Sequence, residues 1–134
     1  MTSRLKVDAI NFRRNADLNL LEGSAKAWIN FNGTGTPAAR DSFNVSTITD
    51  SGTGDYDINF SSNMSNDDYA PVGYSNNYNG QNNFYGEGRI ALGSTYSGAA
   101  GQTTALVNFL SYVAGGTGVS DATENAMSVH GDLA

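Results

Sequence analysis

Apolar and polar residues alternate with a period of two along much of the chain, most densely between Ala25 and Phe60. Ala27, Ile29 and Phe31 interleave with Lys26, Trp28 and Asn30, the pattern of a strand with one face in a core and the other outside. Phe43, Val45 and Thr47 interleave with Asn44, Ser46 and Ile48, and Tyr56, Ile58 and Phe60 with Asp55, Asp57 and Asn59. Asp50-Ser51-Gly52-Thr53-Gly54 separates the last two runs, and its glycines supply the positive φ that a hairpin loop needs. Asn32 to Pro37 is a loop on its turn chemistry. The stretch predicts three strands joined by two turns.

The rest of the chain continues the theme. Leu5, Val7 and Ala9 alternate with Lys6, Asp8 and Ile10, a short opening strand. Leu18, Leu20 and Leu21 follow at a spacing that fits a strand or one helical turn equally. Residues 1–24 therefore read as an N-terminal docking segment or a first strand, and residues 25–134 as the main domain. A short strand is expected from Tyr69 to Tyr74; Pro71 cannot donate to a ladder, which places it at an edge or a bulge. Phe84, Gly86, Gly88, Ile90 and Leu92 share one face of the next run, whose glycines admit close approach of another backbone, as near a three-fold axis. From Thr103 to Val113 both faces carry apolar residues, as in a central strand or one covered by another subunit. Helix competes there, and the Thr, Val and aromatic content favours strand. A last strand spans Asn125 to His130. Seven or eight short strands at intervals near ten residues predict an all-β fold, an antiparallel β-sandwich of jelly-roll-like type. No fixed-period repeat marks a β-helix or fibre shaft.

Composition sharpens this picture. The chain has 134 residues, 16 of them glycine, and 15% charged residues. That length makes one domain able to bury about two-thirds of its unfolded surface. The net charge of −6, from 7 Lys plus Arg against 13 Asp plus Glu, argues against nucleic acid, which needs a basic stripe. It equally disfavours adsorption to anionic membranes, and no apolar run approaches spanning length. With no cysteine there are no disulfides and no thiolate metal sites.

Little in the sequence promises catalysis. The one histidine, His130, precedes Asp132 by two residues, and serines are plentiful, but no nucleophile elbow is present. Asp50, Asp55 and Asp57, and separately Asp67 and Asp68, lack EF-hand spacing and read as turn aspartates. No catalytic, cofactor-binding or metal-ligating residue is assigned, and no cofactor is expected. The aromatics stand out instead. Trp28 falls on the polar face of its strand, and Tyr74, Tyr78, Tyr85 and Tyr96 fall in or beside Asn/Gly-rich loops. Such rings among Asn, Ser and Gly serve recognition surfaces, including those for sugars, and also subunit interfaces. Trp28 leans to interface.

Three segments carry a resemblance. KAWINFNGTGT, RDSFNVSTITDSGTGDYDINF and the closing DATENAMSVHGD resemble a module of bacteriophage virion proteins, found in tail-fibre-like and other particle-surface proteins. The opening SRLKVDAI is similar to a segment that precedes such modules. The similarity is weak between Asn63 and Gly118. It implies a structural protein of the virion, made in the host cytoplasm, with no catalytic residues to carry over. Expected partners are other copies in a homotrimer, other phage virion proteins and a host surface glycan. Fibre-like or receptor-binding adhesion is the first expectation, capsid decoration or cement the alternative, and a glycan depolymerase the third.

Overall fold

Eight strands form among the residues that the computed structural model describes, 23–76, 87–90, 101–112 and 118–134. They are β1 (Ala27–Asn32), β2 (Ala38–Phe43), β3 (Val45–Gly52), β4 (Asp55–Phe60), β5 (Ala70–Asn76), β6 (Glu87–Ile90), β7 (Leu106–Tyr112) and β8 (Glu124–His130). All pairing is antiparallel, in two four-stranded sheets ordered β2-β1-β8-β5 and β3-β4-β7-β6. The expected opening strand at Leu5–Ala9, the docking segment through residue 22, and the loops spanning 77–86 and 91–100 lie outside the described residues.

Alternation correctly assigns the inner faces of two strands, Ala27, Ile29 and Phe31 of β1 and Tyr56, Ile58 and Phe60 of β4, and Met127 and Val129 of β8 are buried in the same core. The sheets thus pack face to face in a sandwich-like arrangement. Phe31 is central to it, meeting Tyr56 edge-on at 5.2 Å and Phe109 at 5.5 Å between ring centroids. Such T-shaped contacts set the positive edge of one ring against the negative face of another. Within the run expected from Thr103 to Val113, Leu106–Tyr112 is a strand, not a helix, and this β7 lies between β4 and β6, a central position that suits its two apolar faces. Pro71 is on β5, at the outer edge of its sheet.

The second predicted strand is divided. Phe43 to Ile48 does not run straight: Asn44 takes a positive φ of 55° and the chain passes from β2 in one sheet to β3 in the other. Asparagine tolerates that region better than other non-glycine residues. Its side chain also holds the corner. Nδ2 donates to the carbonyls of Lys26 and Ser62 at 3.0 Å each, and Oδ1 accepts from the Ser62 amide at 2.7 Å. A register shift between Val45 and Thr47 then rephases β3, so that Val45 and Ile48 pack on the core. The segment Ala38–Phe43 lacks alternation because most of it is exposed; its pairing with β1 makes it a strand.

Polar ties join the two sheets at their ends. The Tyr56 hydroxyl, on a fully buried ring, lies 2.9 Å from Asp121 Oδ1 and 3.0 Å from the Gly33 carbonyl. The same Asp121 oxygen accepts from the Gly54 amide at 2.7 Å. At the other end the Tyr69 hydroxyl sits between the carbonyls of Thr103 and Leu106. The chain's last residues pair back on residues 63–65, through an isolated bridge between Met64 and Leu133.

Candidate binding face

The outward residues of the first sheet form the most distinctive surface among the described residues. Strand pairing aligns Phe43, Trp28, Ser128 and Val72 in one row across all four strands. The next row holds Asp41, Asn30, Ala126 and Tyr74. Because the inward positions of β1 and β8 fill the core, period two turns these residues outward. Four of them are large, apolar and open to solvent: Trp28 is 36% exposed, Phe43 52%, Val72 56% and Tyr74 51%.

The relief of this face follows from side-chain size. Within these two rows β8 presents only Ala126 and Ser128, while Trp28 stands on β1 and Val72 and Tyr74 on β5. The result is a shallow depression of about 410 Å³ running along β8 between two apolar ridges. Two of its polar atoms already have partners. Asn30 Oδ1 accepts from Arg40 at 3.0 Å, and the Arg40 guanidinium also donates to the carbonyls of Phe31 and Thr123. Ser128 Oγ lies 3.4 Å from His130 Nε2.

Two of the five aromatic residues singled out in the sequence, Trp28 and Tyr74, meet on this face. Tyr78, Tyr85 and Tyr96 lie outside the described residues. Phe43 and Val72 belong to the face as well and were not singled out. Phe43 looked like an inward residue of a longer strand; only its pairing opposite Trp28 turns it outward.

The acidic positions are arranged differently. On the outer side of the second sheet, buried Asn108 donates from Nδ2 to Asp55 Oδ1 at 2.6 Å and Asp57 Oδ1 at 2.9 Å. Ser51 donates to the other Asp57 oxygen. These aspartates lock the β3–β4 hairpin onto β7. Among the described residues no group of three or more His, Asp or Glu could hold a metal ion. Nor does a carboxylate there hydrogen-bond the His130 ring, so Ser128 and His130 stand as a local pair without an orienting acid. No described helix is long and apolar enough to cross a membrane. The chain matches no protein-family model, no curated protein and no solved structure.

Proposed function

We propose that the protein is a non-enzymatic structural component of a bacteriophage virion, displayed at the particle surface and acting by adhesion. One observation carries the adhesive part: Phe43 and Trp28 side by side, and Val72 and Tyr74 across the small residues of β8, face solvent on a chain otherwise rich in Asn, Ser, Thr and Gly. Contiguous exposed apolar residues of this kind mark contact surfaces, and Trp, Tyr and Phe are the residues such contacts favour. The phage assignment rests on the three similar segments named above. Fibre-like or receptor-binding adhesion is the first reading. Capsid decoration is the second, favoured by the apolar lining of the depression, which suits a protein surface better than a sugar.

The jelly-roll-like connectivity and the three-fold assembly belong to this proposal too. The glycine-bearing run that prompted a three-fold contact contributes β6, an edge of the second sheet. It is therefore a different surface from the aromatic face. Locating the chain on intact particles by cryo-electron microscopy tests the proposal. Many copies over the head establish decoration, and a few at the tail establish an adhesin. Particles without the chain overturn the virion assignment.

A further inference from the structure

From the strand order and register of the first sheet we infer that its outer face docks on the same face of a second copy, across a two-fold axis parallel to the strands. The inference rests on the reading of this face as a contact surface and names its partner.

The geometry is self-complementary. In the order β2-β1-β8-β5 the sheet midline falls between β1 and β8. A two-fold axis along that midline lays β1 over β8 of the second copy and β2 over its β5, leaving no strand uncovered. Such an axis preserves position along the strands, so each row faces itself in reverse. The Trp28 ridge enters the furrow at Ser128 and Ala126 of the second copy, and Phe43 meets its Val72. In the next row Tyr74 faces Asp41 of the second copy, placing a phenol donor opposite a carboxylate at the rim. Every contact occurs twice, as an isologous interface requires. Sheets stacked in this way lie about 10 Å apart with strands within roughly 30° of alignment.

Area and chemistry select this occupant. Four strands of six or seven residues give a flat footprint of roughly 400 Å². Side-chain relief raises the accessible area toward the ~600 Å² per partner at the lower end of stable interfaces. Full overlap by an equal sheet uses all of it, whereas a partial overlap falls short. A glycan needs acceptors as well as donors around its rings, and here Asn30 Oδ1 and Ser128 Oγ are already engaged. The two approaching chains are each acidic, with a net charge of −6, so added salt strengthens the pairing by screening their repulsion.

The test uses the full chain and two readouts over a dilution series: solution mass and the emission of Trp28, the chain's one tryptophan. The expected result is a mass that doubles with concentration while the emission moves to shorter wavelength along the same curve. Val72→Asp and Phe43→Asp alter exposed side chains; each should weaken association at least 100-fold while leaving circular dichroism and the Tm of the dilute, unassociated chain unchanged. Tyr74→Phe should weaken it about tenfold, because symmetry removes the hydrogen bond twice. A trimer that V72D does not affect, or a dimer formed with no change in Trp28 emission, overturns the inference. So does a chain that stays monomeric at millimolar concentration. Sixfold mass that falls to threefold in V72D supports it. Particle location is scored separately: a V72D-sensitive dimer absent from virions sinks only the virion assignment, and a monomer found on virions sinks only the two-fold contact.

Discussion

Replacing Tyr56 by Phe removes a single oxygen from a ring with no exposed surface. That oxygen lies 2.9 Å from Asp121 Oδ1, which also accepts the Gly54 amide, so one carboxylate ties β4, the β3–β4 turn and the segment before β8 together. The ring itself stays packed edge-on against Phe31. The loss is therefore one hydrogen bond to a charged acceptor, without a cavity of any size. Such bonds contribute about 1.5–3 kcal/mol; Asp121 keeps the Gly54 donor and partial access to water, which sets the expected loss near ~1.5–2 kcal/mol. For a chain of this length that lowers Tm by about 5–8 °C. Urea unfolding of the wild type, Tyr56→Phe, Asp121→Ala and the double variant measures it. The two residues should couple by ~1 kcal/mol or more, since they share one bond. A single-variant loss below ~0.5 kcal/mol, or strict additivity in the cycle, would refute the idea that this bond joins the two sheets.

Three further outcomes follow from the same structure. Gly35 and Gly54 have nearly equal positive φ values, 68° and 64°, but a Cβ at Gly35 meets open space and one at Gly54 comes within 2.8 Å of Ser120 and Ser111 backbone atoms. By denaturant unfolding Gly35→Ala should cost about 1–2 kcal/mol, and Gly54→Ala clearly more; equal costs would contradict the close approach. Ser75 Oγ is buried without a hydrogen-bond partner, so Ser75→Ala should leave stability unchanged or raise it by up to about 1 kcal/mol, and a lower Tm would reveal a partner. Burial raises the hydroxyl pKa of both Tyr56 and Tyr69, the latter from 10.0 to about 12. The folded state then holds protons that the unfolded chain releases, so stability is intact below pH 10 and falls as pH rises toward 12. Tyr69→Phe should flatten that fall in a pH series of unfolding curves, and an unchanged slope would show that Tyr69 is not its source.

Where alternation is strict, the amino-acid pattern alone determined which residues face the core: Ala27, Ile29 and Phe31, then Tyr56, Ile58 and Phe60. It also determined the glycine-bearing β3–β4 hairpin and limited the Pro71 strand to an edge or a bulge, because both follow from backbone chemistry at single residues; strand order decided for the edge. Trp28 was legible as an outward aromatic for the same reason. What remained hidden depended on partners distant in sequence. Ala38–Phe43 has no alternation, and only the neighbouring β1 makes it a strand. The turn at Asn44 reads in sequence as one more alternating polar position; the carbonyls of Lys26 and Ser62 fix its conformation. Above all, Phe43, Trp28, Val72 and Tyr74 come from three strands spread between positions 28 and 74, with β8, later in the chain, as the floor between them. A periodic pattern specifies which way a side chain points, whereas strand order and register decide which side chains become neighbours.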